Sequence, residues 1–211
     1  MIAIVDYGMA NLRSVEKALL RVGGHPIITS DPHVVARADQ IVLPGVGAFC
    51  AAMANLEQSG LRDAVLQAIA AGKPFLGICL GLQLLFESST EMGGARGLGL
   101  IPGHVVRFFE NAPPPTLPDG MPLKVPHIGW NALHLPRSSR LFRDIEEGAR
   151  VYFVHSYYPE PSDASVVAAT TDYGVDFCCA IEIDHIAATQ FHPEKSGTVG
   201  LQILRNFVRW N

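Results

Sequence analysis

The sequence is short of charge and concentrates none of it. Only 17% of its residues are charged, the net charge is −4, and no stretch gathers lysine and arginine among aromatic residues. A nucleic-acid surface needs a dense basic face to displace counterions, so no nucleic-acid partner is expected. Long apolar runs are also missing. The longest uncharged stretch, Gln40 to Leu56, is interrupted by Pro44, Gly45 and Gly47, whereas a spanning helix needs about 20 consecutive apolar residues. No membrane contact is expected either. The amino terminus has no basic start followed by an apolar stretch and a small-residue cleavage site, so nothing marks the chain for export.

Cysteine is sparse and unpaired in pattern. Cys50, Cys79, Cys178 and Cys179 include no CxxC spacing, and two of them are adjacent. They read as reduced thiols of a cytoplasmic protein. His127, His134, His155 and His185 show no zinc-ligand spacing, so no metal is expected. What the chain has in quantity is apolar residue, 48% of the total, which excludes disorder. A chain of 211 residues is read as a single domain over 1–211, large enough to bury roughly 70% of its unfolded surface without a staple.

The apolar pattern is that of an α/β fold. Met1 to Asp6, Pro26 to Ser30, Gln40 to Leu43 and Pro74 to Ile78 are short apolar runs of the kind found in buried strands. Between them, Asn11 is placed to cap a helix whose face is Leu12, Val15, Leu19 and Val22, ending at Gly23-Gly24. Ala48 to Ala71 reads as helical with a break at Gly60, and Leu80 to Glu87 as a further helix. Strands alternating with helices predict βαβ units and a parallel sheet covered on both faces. The second half differs. Glu110 to Pro126 is a proline-rich loop, and Val151 to Tyr158, Val166 to Thr171, Phe177 to Ile183 and Ile186 to Phe191 are strand-like at short spacing, which suggests antiparallel pairing. Ser196 to Trp210 closes the chain with a helix. The expected fold is α/β, with a mixed, mostly parallel central sheet flanked by helices.

Three motifs carry chemistry. Gly77-Ile78-Cys79-Leu80-Gly81 joins a strand to a helix with the spacing of a nucleophile elbow, cysteine in the central place. Glycines flank such a nucleophile because side chains there would collide with neighbouring backbone. The following helix directs free N–H groups towards the sulfur, which favours thiolate, and the Leu80 N–H can serve an oxyanion. A thiolate that transfers acyl groups needs a base held by a third group. His192-Pro193-Glu194 supplies both, since residues two apart in an extended segment face the same side. Leu43-Pro44-Gly45-Val46-Gly47 is a glycine-bearing turn whose N–H groups can approach a developing oxyanion. For each motif a plain structural reading also stands: a small buried cysteine, a structural histidine, a tight turn opening a helix.

In combination, LPGVG, GICLGLQLLFE and QFHPEKS resemble the class I glutamine amidotransferases, with their flavodoxin-like domain and Cys-His-Glu triad. PGVG, PHIGWN (Pro126 to Asn131), FVHSYY, TTDYG and the amino-terminal DYGMANLRSV narrow the resemblance to one branch. In that branch a glutaminase subunit serves a separate (βα)8-barrel cyclase of histidine biosynthesis, in a heterodimer whose products are imidazole glycerol phosphate and aminoimidazole carboxamide ribotide. The resemblance implies that Cys79 is the nucleophile, His192 the base and Glu194 its orienter. It implies Gly45, Val46 and Leu80 at the oxyanion hole and Gly47, Gln83, Ser156 and Tyr157 around the substrate L-glutamine. Asn11, Trp130, Tyr152 and Lys195 match positions near the partner. No cofactor is implied. Ala10 stands where the family often has glycine, and Leu82 where methionine is common. Two alternatives stay open: a glutaminase subunit serving another synthase, and a non-catalytic assembly subunit.

Overall fold

A computed structural model describes residues 1–116 and 120–210 of the chain. The first half alternates as its apolar runs predict. Strand β1 (Ile2–Val5) leads to α1 (Leu12–Arg21), β2 (Pro26–Thr29), a short α2 (Pro32–Arg37) and β3 (Gln40–Gly45). Helices α3 (Phe49–Gln58) and α4 (Leu61–Ala70) follow, with Gly60 between them in the left-handed region at φ 72°. Strand β4 (Phe75–Cys79) then runs into α5 (Leu80–Gln83).

The second half supplies β5 (Phe86–Ser89), β6 (Ala95–Arg96), β7 (Ile101–Arg107), β8 (His127–Ala132), β9 (Arg150–His155) and β10 (Tyr157–Pro161). It ends with β11 (Val167–Asp172), β12 (Asp176–Ile183), β13 (Ile186–Thr189) and α6 (Gly197–Val208). The main sheet has seven strands in the order β11-β12-β13-β4-β3-β1-β2. Strands β13, β4, β3, β1 and β2 are mutually parallel, and β11, β12 and β13 pair antiparallel.

Every residue of β1, β3, β4 and β13 is buried. These strands lie between helical layers on both sides, which is why they read as continuous apolar runs. Alternation divides their side chains between two cores: Ala3 and Val5 enter one, Ile2 and Ile4 the other. Cys178 and Cys179 likewise fall on opposite faces of β12.

Several expectations need correction. The helix predicted over Leu80 to Glu87 stops after one turn at Gln83, and Phe86 instead pairs with Ile101 in a second sheet, β10-β7-β5-β6. Leu84, Leu85 and Phe86 are all fully buried, and an apolar run of that length does not separate helix from strand by period. The run Val151 to Tyr158 is two strands in two sheets, breaking at Ser156: His155 pairs with His127 of β8, Tyr157 with Arg107 of β7. Asn11 precedes α1 but makes no capping hydrogen bond. Asp31 does cap: its side chain accepts from the His33 N–H and opens α2, which the periodicity did not reveal. Of the proline-rich stretch, residues 117–119 lie outside the described residues; Thr116 and Pro122 on either side form a bridge.

Candidate active site

The carboxyl ends of parallel strands are where open α/β sheets place their ligands. Here the register sets Gly45, the last residue of β3, opposite Cys79, the last of β4. Thr189 of β13 sits opposite Ile78, so the chain leaving β13 carries Gln190 and His192 past the cysteine. Three chain segments far apart in sequence thus converge at one edge.

Cys79 holds φ 56° and ψ −108°, a strained backbone for any residue but glycine. Its flanking glycines are there for space. A Cβ at Gly77 would meet the Gly81 carbonyl oxygen at 2.7 Å, and one at Gly81 would collide with the Leu43 carbonyl oxygen of β3. Both obstacles are backbone, which cannot rotate aside. Gly81→Ala is therefore expected to lower Tm by roughly 2–12 °C, on the basis that forced overpacking costs about 1–3 kcal/mol. Calorimetry checks this, and an unchanged Tm would remove the steric account of the elbow.

Cys79 is almost out of solvent, at 7% exposure. Gln190 donates its amide N–H to Sγ at 3.7 Å, and Gln83 donates to Gln190 Oε1 at 3.0 Å and to the Tyr157 carbonyl at 3.0 Å. A chain of two buried amides thus ties the sulfur to β10. His192 Nδ1 and Glu194 Oε1 lie 2.8 Å apart, with the two side chains 3% and 1% exposed. The carboxylate comes into reach differently from the expected extended segment: Pro193–Lys195 is a tight 3₁₀ turn with proline at its first position. The turn is pinned by Ser196, whose hydroxyl donates to the His192 carbonyl at 2.7 Å and accepts from the Tyr152 N–H at 3.0 Å.

The other imidazole nitrogen, Nε2, is buried without a hydrogen bond of ordinary geometry and is left to the Cys79 sulfur. Burial alone would lower the His192 pKa, but hydrogen bonding and charge from Cys79 and Glu194 outweigh it and push the value up to about 10. The pair therefore favours imidazolium next to sulfur. His155 is the contrast. Burial drives its pKa down to about 3, and the neutral ring donates through Nδ1 to the Tyr157 carbonyl at 2.8 Å.

These groups open on a cleft of about 330 Å³, at the small end of ligand-binding cavities. Val46, Gly47, Cys79, Leu80, Gln83 and Ser156 line it, joined by Tyr157, His192 and Lys195. Gly45 is behind this wall, buried, with its Cα against the Tyr7 hydroxyl and the Leu80 side chain. The Val46 N–H is turned away from the cleft and donates to the Met9 carbonyl at 2.9 Å. At the rim, Trp130 and Tyr152 stand opposite each other on β8 and β9 with ring centres 6.1 Å apart, and Lys195 lies 5.9 Å over the Tyr152 ring. Asn11 is exposed at the start of α1, and the ring and cation contacts that link the other three do not include it.

Three residues of this site escaped the sequence reading. Glu91 lines the cleft, anchored by the Phe49 N–H at 2.7 Å. Gln190 touches the sulfur, and the Tyr7 hydroxyl lies beneath Gly45. Gln190 was the most accessible to sequence, since a glutamine inside an apolar strand run is a polar group that must find a partner.

The family model for Glutamine amidotransferase class-I matches residues 3–210, and the chain belongs to that family. Among curated proteins it is similar to the imidazole glycerol phosphate synthase subunit HisH of Geobacter metallireducens, 56% identical over 98% of this chain and 97% of the relative. It is also similar to the subunit of the same name from Methanothermobacter thermautotrophicus, 55% identical over 99% and 98%. Among solved structures, PurLQS from Thermotoga maritima superposes with a TM-score of 0.75 at 17% identity, covering 99% of this chain and 97% of that one, a likeness of fold. The mixed, mostly parallel sheet with helices on both faces agrees with the expected fold class.

Proposed function

We propose that the chain, acting as one glutamine amidotransferase unit over its whole length, is the glutaminase subunit of an imidazole glycerol phosphate synthase. It hydrolyses L-glutamine to glutamate and ammonia and passes the ammonia to a separate (βα)8-barrel cyclase in a cytoplasmic heterodimer. The observation that carries this reading is the strained, buried Cys79 sharing one cleft with the His192–Glu194 pair. The similarity to curated subunits of that synthase over nearly the whole chain supports the choice of partner.

In the mechanism, the Cys79 sulfur attacks the side-chain carboxamide carbon of glutamine and its electron pair forms the new C–S bond. The carbonyl π electrons move to oxygen, where the Leu80 N–H and, after rotation, the Val46 N–H receive the negative charge. As the intermediate collapses, the C–N bond breaks, and His192 gives its Nε2 proton to the departing nitrogen, which leaves as ammonia. Water, giving a proton to His192, then attacks the thioester carbonyl, and the C–S bond breaks to release glutamate and restore thiolate and imidazolium. Glu91 is the carboxylate lining the cleft and is placed to receive the substrate's ammonium group. Gly47, Gln83, Ser156 and Tyr157 shape the rest of the glutamine site. Trp130, Tyr152 and Lys195 face the cyclase at the rim, and Asn11 is assigned to the same interface by position alone. No cofactor enters this scheme.

The test is glutamate release from glutamine by the chain with its cyclase, coupled to formation of the cyclase products. Glutamate without cyclase product would indicate a glutaminase serving another synthase, and no glutamate under any condition an assembly subunit.

The orienting role of Glu194 has its own signature. Its carboxylate contributes to raising the His192 pKa. Loss of the imidazolium at high pH removes the proton that ammonia needs, so activity falls on the alkaline side as pH passes the His192 pKa. In Glu194→Gln that limb is expected to move to lower pH, and turnover to fall by roughly 10- to 100-fold, less than in His192→Ala. A pH–rate profile of kcat checks both. An unmoved alkaline limb in Glu194→Gln would show that Glu194 does not tune this histidine.

A further inference from the structure

The Tyr7 hydroxyl is an anomaly. The residue is 4% exposed, and its oxygen has no hydrogen-bond partner among the described residues. Buried hydroxyls are normally satisfied, so an orphan calls for a reason. Its position supplies one. A Cβ built on Gly45 would run into this oxygen, which places the hydroxyl directly against the Cα of Gly45.

The neighbouring peptide supplies the rest. A trans peptide points its N–H and C=O in opposite directions. With the Val46 N–H donating to the Met9 carbonyl, the Gly45 carbonyl points away from Met9. Rotating the Gly45–Val46 peptide to turn its N–H into the cleft exchanges the two. The Gly45 carbonyl then enters the space the N–H has left and faces the Met9 carbonyl, acceptor against acceptor. A buried carbonyl without a donor opposes that state strongly. The unpartnered donor against Gly45 is Tyr7.

We propose that Tyr7 is a positioning residue for the glutaminase reaction: its hydroxyl donates to the Gly45 carbonyl once the Gly45–Val46 peptide has rotated, and so holds the Val46 N–H at the oxyanion. The inference rests on the reading of Val46 as an oxyanion donor. The hydroxyl is suited to donate rather than ionise, because burial and the nearby Cys79 charge raise its pKa above the ordinary tyrosine value. The group is unsatisfied in the resting chain and satisfied in the rotated one, which narrows the gap between the two.

Tyr7→Phe keeps the ring and removes the oxygen. Glutamate release is measured for the chain alone and for the chain with cyclase and nucleotide ligand, together with KM for glutamine and Tm. The expected result is a stimulated kcat lowered by roughly 5- to 100-fold, with KM within about twofold and Tm unchanged or raised. A purely structural tyrosine would lower Tm and slow both reactions equally, and that outcome overturns the proposal. Wild-type stimulation in Tyr7→Phe overturns it too, while leaving Val46 as the oxyanion donor. If the wild-type chain itself shows no stimulation, the underlying reading of Val46 fails and the latch with it.

Discussion

Cys79→Ala is expected to abolish glutamine-dependent turnover, by roughly 10⁴- to 10⁶-fold, the range seen when a nucleophile is removed from a group that acts as a unit. Synthesis driven by added ammonium salt should persist, because the cyclase then receives its nitrogen without this subunit's chemistry. The size of the effect follows from the lack of a substitute. Cys178 and Cys179 are buried in β12, where burial raises the first thiol's pKa to about 12 and the second's well above its usual value. Both are protonated thiols at any working pH. Cys50 is partly exposed on α3, and its sulfur is directed at the Glu91 carbonyl at 3.8 Å. Cys79 has His192 as its hydrogen-bonding and charge partner. Glutamate assays with and without ammonium salt check the result. Near-wild-type glutamine turnover in Cys79→Ala would remove the triad from the mechanism. A companion variant, Cys79→Gly, relieves a backbone held at φ 56° and is expected to raise Tm even as it abolishes turnover.

The parts of the fold that could be read from sequence are those whose environment is uniform. Strands β1, β3 and β4 are buried on both faces, so MIAIVD, QIVL and PFLGI announce themselves as apolar runs. Strand β7 does not, although its burial alternates cleanly, because Pro102 and Gly103 interrupt it. Gly103 sits at φ 127°, where a Cβ would meet the backbone at Glu160 and Pro161 of β10. A close approach of strands therefore demanded the residue that hid the strand. Strand β8 is masked in the same way by Gly129 and by polar residues whose partners lie elsewhere: His127 bonds His155 and Asn131, and Asn131 bonds the Asp172 carbonyl.

The site divides along the same line. The elbow could be recognised because its G-x-C-x-G spacing is local in sequence, even though Gly81 makes room for the distant Leu43 carbonyl, and His192 with Glu194 because they are two residues apart. Glu91, Gln190 and Tyr7 have meaning only through contacts across 42, 111 and 38 positions of chain respectively, which no local pattern encodes. The short α5 also revises one physical argument. A single turn carries little of a helix macrodipole, so the charged group set against the Cys79 sulfur is the imidazolium of His192 rather than a helix end.

The isolated chain is expected to be a poor glutaminase, slower than the complex with cyclase and nucleotide ligand by roughly 100- to 1,000-fold, the usual cost of one missing oxyanion donor. The reason is visible in one hydrogen bond. Cys79, His192 and Glu194 already stand together, but the Val46 N–H is spent on the Met9 carbonyl at 2.9 Å and is not free for an oxyanion in the cleft. The peptide has room to change. Val46 is 40% exposed, so its side chain swings through solvent rather than core, and Gly47 at φ 94° accepts backbone angles that other residues resist. Rotation breaks the bond to Met9, and a partner can favour the rotated form only by binding it more tightly than the resting one. A shift from 1% to 99% rotated requires about a 10⁴-fold difference in affinity between the two forms. A smaller difference would give partial stimulation, so the measured ratio reports the coupling directly. The measurement is steady-state glutamate production by the chain, by the complex, and by the complex with nucleotide, at saturating glutamine. The gain should appear in kcat, since the donor acts on charge that exists only in the transition state. Equal kcat in all three would show that the resting loop is already competent and that Val46 is not the missing donor.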